Sequence, residues 1–454
     1  MKIIILGGGT VGSALCSQLA KEGHDLTVVD TDQNILNEIS NTCDIIPIQG
    51  NAADVSVLKD AGVEKAELLI ALTVSDEINI LACAAAKKLG ANHIIARVRN
   101  PEYSELTRLL KNEINLSLTI NPDLMVAKAI YRMFRFPTAA KIDTFCHGTV
   151  EFAEFLITED SPLGGLELSY IQEKFSRNFL ICAVLRGDYV YIPSGDFCLQ
   201  KDDTVCLVAS EEDLPHILKS IGLHKDPVRN VLIVGGGRTT YYLLSMLHHS
   251  KIKTKIIEKD KIRCRELAEQ YSCPVICDNG TKQELLLEED LEYVDAFLAL
   301  SDSDEENVIV SMYAKTIAQG KIITRINSMT YAEIFKEIGL DGIVSPQHST
   351  VSDIIRYVRS IANAYQDETS EIESLHRFMD DRLEVLEFSI KKEIDGLTDI
   401  PLRTLPARKG FLITCIVRNN RIIIPSGNDC ILPGDKVIIV TPQGLMKGIK
   451  DILH

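Results

Sequence analysis

The chain repeats itself. "KIIILGGGTVGSAL" begins at Lys2 and "NVLIVGGGRTTYYLL" at Asn230, each an apolar run, a glycine turn and the start of an amphipathic stretch. The offset that carries Gly7 onto Gly235 also carries Asp30 in "LTVVDTD" onto Glu258 in "TKIIEKD". It carries "GNAAD" at Gly50 onto "DNGTK" at Asp278, "ALTVSDEINI" at Ala71 onto "ALSDSDEENV" at Ala299, and "IIARVRN" at Ile94 onto "IITRINS" at Ile322. Motifs in register over this length make chance a poor explanation and point to two copies of one folding unit. A second repeat follows each copy at a slightly larger offset. "YVYIPSGDFCLQKDDTVCLV" at Tyr189 corresponds to "RIIIPSGNDCILPGDKVIIV" at Arg421, with Ile192 falling on Ile424. The organisation is A–B–A′–B′, with A near 1–140, B near 141–225, A′ near 229–365 and B′ near 375–454. "LHKDPVRN" from Leu223 reads as one seam, and the acidic "YQDETSEIES" from Tyr365 as a linker or an exposed helix end.

Within A, short Val/Ile-rich runs alternate with helical patterns. Strands are expected at Lys2–Leu6, Leu26–Val29, Asp44–Ile48, Leu68–Leu72 and Ile94–Val98, with helices to about Lys21, through Ile39 and from Ile78 to Leu89. That order predicts a parallel sheet with helices on both faces. B reads differently, as short strands at Val150–Leu156, Leu180–Leu185, Tyr189–Ile192 and Thr204–Val208 separated by turn residues. The fold class expected is therefore α/β, with two Rossmann-like nucleotide-binding lobes each followed by a small β-rich α+β lobe.

The glycine turn has a specific use. Gly7, Gly9 and Gly12 complete G-x-G-x-x-G between a strand and a helix, and Asp30 closes the next strand. Gly7 permits the tight turn, Gly9 lets backbone amides approach a pyrophosphate, and Gly12 lets helix and strand pack closely. Gly8, Thr10 and Val11 fill out the turn, whose helix start offers unpaired N–H groups to phosphates. Asp30 is placed to accept hydrogen bonds from an adenosine ribose and to repel a 2′-phosphate, which favours NAD over NADP. Asn51 and Ala52 after the third strand, Thr73 and Val74 after the fourth and Arg97 at the fifth complete the candidate site. In A′ the same positions read Gly235, Gly236, Gly237, Arg238, Thr239, Glu258, Asn279, Gly280, Ser301, Asp302 and Arg325. There the third glycine is replaced by Thr240, whose side chain should push the helix outward or rotate it. Arg238 in place of Thr10 suits terminal phosphates. A′ reads as a site for ATP or ADP rather than NAD, or as a structural copy.

Bulk properties set limits. A formal net charge of −16 argues against nucleic acid and against direct anchoring on anionic lipid. No apolar run approaches the ~20 residues of a membrane helix, and the strand pattern starting at Lys2 leaves no signal peptide to expect. Twelve cysteines without C-x-x-C read as reduced thiols, and Cys264, Cys273 and Cys277 are too loosely spaced for a zinc site. No catalytic constellation is found. "GGGRTT" lacks the lysine of a P-loop, and His147, His216 and His376 have no counterparts between B and B′. No catalytic and no metal-binding residue is assigned, and a ligand-sensing device is the better reading than a soluble NAD-dependent oxidoreductase or an NAD-sensing scaffold.

The opening "MKIIILGGGTVG", the "VVDTD" acid, "ALTVSDEINILAC", "IIARVRNPEY" and both "IPSG" hairpins resemble, over essentially the full length, the TrkA-type cytoplasmic regulatory subunits of Trk potassium-uptake systems. These carry tandem RCK (regulator of potassium conductance) units. The resemblance implies NAD(H) in the first lobe and ATP/ADP or NAD(H) in the second. It also implies assembly into a ring, a homotetramer, and docking on a Trk-type potassium-transporting membrane subunit at the inner face of the cell membrane. "NPDLMVAKAIYRMF" from Asn121 and "STVSDIIRYVRSIANAY" from Ser349 are then expected to be crossover helices packing one lobe on another.

Overall fold

A computed structural model describes every residue except 111–112, 115, 137, 160, 176–178, 224–227, 249, 328–334, 336–338, 341, 367–368, 407, 409, 445, 447 and 454. Half of the "LHKDPVRN" seam, residues 224–227, therefore lies outside the described residues. The first sheet is built from β1 (Lys2–Leu6), β2 (Asp25–Asp30), β3 (Ile45–Gln49), β4 (Leu68–Ala71), β5 (His93–Arg97) and β6 (Leu116–Ile120). Its order is β3-β2-β1-β4-β5-β6, with every pairing parallel. Central strands covered on both faces must be apolar throughout, and Ile3 to Leu6 and Leu68 to Ala71 are all buried. β1 pairs β2 on one side and β4 on the other, so the strand order reverses at the end of β1, where α/β sheets open a crevice for ligands.

The second sheet comprises β7 (Lys141–Phe145), β8 (Val150–Leu156), β9 (Phe179–Arg186), β10 (Tyr189–Tyr191) and β11 (Thr204–Ser210), antiparallel in the order β10-β9-β11-β8-β7. The third repeats the first: β12 (Asn230–Val234), β13 (Lys253–Glu258), β14 (Val275–Cys277), β15 (Ala296–Ala299), β16 (Lys321–Arg325) and β17 (Gly342–Val344), ordered β14-β13-β12-β15-β16-β17. The fourth repeats the second: β18 (Ser370–Phe378), β19 (Leu383–Ile390), β20 (Leu412–Arg418), β21 (Arg421–Ile423) and β22 (Lys436–Pro442), ordered β18-β19-β22-β20-β21. The α/β class with two Rossmann-like parallel sheets and two β-rich companions is thus the observed one.

The copies associate by type rather than by sequence neighbourhood. One compact unit holds Met1–Ile130 with Arg229–Ile355, and a second holds Tyr131–Val228 with Arg356–His454. In the second unit one core draws on both antiparallel sheets, with Phe145, Phe152 and Cys206 beside Phe378, Val385 and Val440.

The acidic stretch from Tyr365 is not a linker throughout. The helix Pro346–Gln366 runs through its first two residues, and Ser370 opens β18, where Ser370 and Ile372 are buried. Its polar residues alternate with buried ones along an edge strand, a pattern too weak to read from composition. β7 escapes a sequence reading for a similar reason, and the first β-rich lobe also carries helices at Leu168–Phe175 and Leu214–Ser220.

Candidate functional site

Both glycine turns lie at the switch points of their sheets. Gly7 has φ +101°, and a Cβ there would stand 2.9 Å from the Thr73 nitrogen. Gly235 has φ +104°, and a Cβ would stand 2.7 Å from the Ser301 nitrogen. The turns are therefore wedged against the loops after β4 and β15, which brings Thr73 and Ser301 beside the helix starts. The helices Thr10–Lys21 and Arg238–Leu247 begin after Gly9 and Gly237, which have no side chain to cap them, whereas the neighbouring Asp76–Leu89 and Asp304–Ile317 are capped by Ser75 and Ser303. Uncapped N–H groups carry the partial positive charge of the helix end. A Cβ at Gly9 would meet nothing within 4 Å, and one at Gly237 only Arg263 Nη1 at 4.0 Å. The face of each turn where a pyrophosphate would lie is open.

The two acids brace the turns from behind. Asp30 Oδ2 accepts from the Gly8 N–H at 2.6 Å and Oδ1 from the Asp32 N–H at 3.0 Å. Glu258 does the same, Oε2 from the Gly236 N–H at 2.6 Å and Oε1 from the Asp260 N–H at 2.8 Å. Each carboxylate oxygen has further lone pairs, so a ribose hydroxyl can be added without breaking these bonds. A Cβ at Gly8 would fall 2.8 Å from Ile35 Cγ2, so this position is closed by packing rather than by ligand.

At the third position the copies differ. A Cβ at Gly12 would stand 2.1 Å from the Gly7 carbonyl oxygen. At the equivalent Thr240, fully buried, the hydroxyl instead donates to the Gly235 oxygen at 2.6 Å. The side chain replaces the direct helix–strand approach with a hydrogen bond, which requires wider spacing there.

The remaining candidates divide by role. Asn51 is exposed with its Oδ1 on the Ala53 N–H at 3.0 Å, and Asn279 repeats this on Thr281. Ala52 is buried, and at Gly280 a Cβ would meet Val234 Cγ1 at 2.4 Å. Val74 is 84% exposed. Arg97 donates from Nη2 to the Thr73 carbonyl at 2.7 Å, and its Nε is buried without a partner. Burial, with the charges of Arg99 and Arg238, lowers its pKa to about 10. Arg325 donates to Ser301 O at 3.3 Å and pairs with Asp302 at 2.9 Å and with Asp123 at 3.7 Å. Arg238 is exposed at the turn. Val11 and Thr239 are buried, and the Thr239 hydroxyl is turned onto Asp123 Oδ1 at 2.9 Å.

Sequence reasoning missed the groups that hold these loops. Buried Asn79 binds the Thr73 N–H and carbonyl and the Arg97 carbonyl at 2.9 to 3.1 Å, and buried Asn307 makes the same contacts with Ser301 and Arg325. The available signal is the asparagine shared by "SDEIN" and "SDEEN". The helix expected from "NPDLMVAKAIYRMF" spans Pro122–Arg135 and, besides the Asp123–Thr239 bond, is preceded by Asn121, whose Nδ2 donates to Tyr242 Oη at 2.7 Å. Tyr242 in turn donates to the Arg99 carbonyl at 2.9 Å. Reciprocally, Gln347 of the helix Pro346–Gln366 donates to the Thr10 carbonyl at 3.0 Å. Each lobe therefore lays its last helix on the glycine-turn helix of the other.

Known proteins agree with this architecture. The TrkA-N domain model matches residues 3–118 and 231–346, and the TrkA-C domain model matches 152–222. The chain is 32% identical to the Trk system potassium uptake protein TrkA of Halomonas elongata over 97% of this chain and 95% of that one. It is 31% identical to a TrkA homolog of Archaeoglobus fulgidus over 100% of both. Among solved structures, the GsuK RCK domain superposes with TM-score 0.65 at 16% identity, covering 97% of this chain and 92% of that one. The GsuK channel bound to NAD gives 0.65 at 17%, covering 97% and 77%. Among the described residues no helix is long and apolar enough to cross a membrane. With both of its parallel-sheet lobes and its first antiparallel lobe matched, the chain belongs to the TrkA family of Trk system potassium uptake proteins.

Proposed function

We propose that the chain is a nucleotide-binding regulatory subunit that gates a Trk-type potassium-translocating membrane protein from the cytoplasmic side. It acts without enzymatic turnover, as a ring-forming homotetramer held at the membrane by its partner. The first lobe takes NAD(H) on Gly7, Gly9, Gly12 and Asp30, with Asn51, Thr73 and Arg97 around it. The second takes ATP or ADP, or NAD(H), on Gly235, Gly237, Glu258 and Arg238. The folding units are those read from the repeat, 1–140, 141–225, 229–365 and 375–454.

The observation that carries this reading is the reciprocal seating of the lobes. The helix after β6 touches the second glycine-turn helix through Asp123 and Thr239, and the helix after β17 touches the first through Gln347 and Thr10. A nucleotide that fits one arrangement of these contacts better than another shifts the population by its differential affinity. Binding of NAD by the related GsuK channel supports the choice of ligand.

The test is potassium flux in vesicles holding the membrane subunit, with and without this chain, in NADH, NAD, ATP or ADP. A flux change that needs the chain, the nucleotide and the membrane subunit together is expected. Steady NADH turnover with a small substrate, or an effect in vesicles lacking the membrane subunit, would overturn the proposal. Bare anionic vesicles are expected not to bind the chain.

A further inference from the structure

The two antiparallel sheets meet through equivalent residues. β7 pairs β8 so that Phe145 faces Val150, Asp143 faces Phe152 and Lys141 faces Glu154. One constant shift carries these strands onto β18 and β19, where Phe378 faces Leu383, His376 faces Val385 and Ser374 faces Glu387. One pair of contacts between the sheets is reciprocal. Glu154 accepts from the Met379 N–H at 3.0 Å, and its counterpart Glu387 accepts from the Cys146 N–H at 3.1 Å. Cys146 and Met379 hold the same place in their hairpins, with left-handed φ of 50° and 52°. Such reciprocity is that of an isologous interface, in which a residue close to the axis meets its own counterpart. The counterpart of Asp143 is His376, and the two touch, Oδ2 to Nδ1 at 3.2 Å.

We propose that the Asp143–His376 pair selects the partner of each antiparallel sheet: it joins the two unlike sheets of one chain and disfavours the pairing of like sheets from two copies of the chain. Across an axis between two copies of the first sheet, Asp143 would meet Asp143. Between two copies of the second, His376 would meet His376 with no carboxylate to answer it. Only the unlike pairing sets a carboxylate against an imidazole. The site is sheltered, with side-chain exposures of 16% and 20%, and the Phe145 ring stands edge-on to the imidazole at 4.6 Å between centroids. Water reaches the pair only in part, so it does not fully relieve a mismatch there. Arg132 at 3.2 Å and Lys141 at 3.7 Å also face Asp143. Ser374 stands where Lys141 does in the first sheet, so that lysine serves the carboxylate side of the junction alone. A single polar residue near a symmetry axis is an effective way to specify partner choice.

The test uses the full chain. His376→Asp places two carboxylates at the axis and is expected to lower the melting midpoint by about 5–10 °C. The reversed pair, Asp143→His with His376→Asp, is expected to recover more than half of that loss. Partner choice is read by refolding a tagged His376→Asp chain together with an untagged Asp143→His chain. Exchange of sheets between these two chains restores both Asp–His junctions, so chemical cross-links joining the first antiparallel sheet of one chain to the second of the other should be at least about twofold more abundant than in a wild-type mixture treated alike, whatever the size of the assembly. An unchanged midpoint in His376→Asp, a reversed pair no more stable than the single variant, or inter-chain cross-linking equal to wild type would each overturn the proposal.

Discussion

Thr240 donates its hydroxyl to the Gly235 carbonyl at 2.6 Å, at the position where Gly12 of the first lobe packs so closely that a Cβ would collide with Gly7 O at 2.1 Å. The second turn is thus held by a side chain and the first by direct backbone contact. Gly12→Ala is expected to destabilise the first lobe by about 1–3 kcal/mol through overpacking and to weaken NAD(H) binding. Thr240→Ala should cost only about 1–2 kcal/mol, the loss of one hydrogen bond to a buried carbonyl. Thermal melts of both variants, with titration of NADH into Gly12→Ala, check the contrast.

Asp30 serves the turn and the ligand at once. Asp30→Ala removes the acceptor for the Gly8 N–H as well as any ribose contact, and a loss of about 1–3 kcal/mol in NAD(H) affinity is expected. Asp30→Asn keeps one carbonyl oxygen for Gly8 and should lose less. Calorimetry on the two variants separates the roles, and equal affinity in wild type and both variants would remove the first lobe as the NAD(H) site.

Arg238 is exposed at the second helix start, near enough to Arg97 for its charge to help lower that guanidinium's pKa. Arg238→Ala should weaken ATP more than ADP or NADH, by roughly 1.5–3 kcal/mol, if it meets the terminal phosphate. Equal losses for all three nucleotides would show that it touches only groups they share.

Glu151 is almost wholly buried, and one of its oxygens has no hydrogen-bond partner. Burial, reinforced by Glu211 and opposed by Arg135 at 3.6 Å, pushes its carboxyl up to about 7. The folded state therefore holds a proton that an unfolded glutamate, with pKa ~4.3, has released. Its contribution is complete below about pH 4.3 and is lost as pH rises through about 7, on the order of 3 kcal/mol over that window. Glu151→Gln should flatten this part of the stability curve and gain on wild type as pH rises from 5 to 8, read from urea denaturation midpoints across that range. The second-copy equivalent, Glu384, is matched by Arg359 at 2.9 Å and Arg377 at 3.5 Å.

The duplication, the two parallel sheets and the positions of both glycine turns and acids were legible in the amino-acid sequence. The reason is that those features are local. A buried parallel strand must be apolar along its length, a tight turn with φ near +100° must be glycine, and an acid one strand away falls beside that turn by register alone. The tertiary structure alone decided which copies associate, what Thr240 does and where Asp123, Tyr242 and His376 find their partners. His376 had no sequence counterpart of its own type because its counterpart is Asp143, and the two are complementary rather than alike. β18 was hidden in an acidic stretch because its strand character comes from pairing with β19 and from one buried face. Asn121 and Tyr242 lie far apart in the chain and meet only when one lobe is laid on the other. Contacts of that kind leave no periodicity in the chain, since the chemistry that selects them lies on a surface the sequence does not bring together until the sheets have formed.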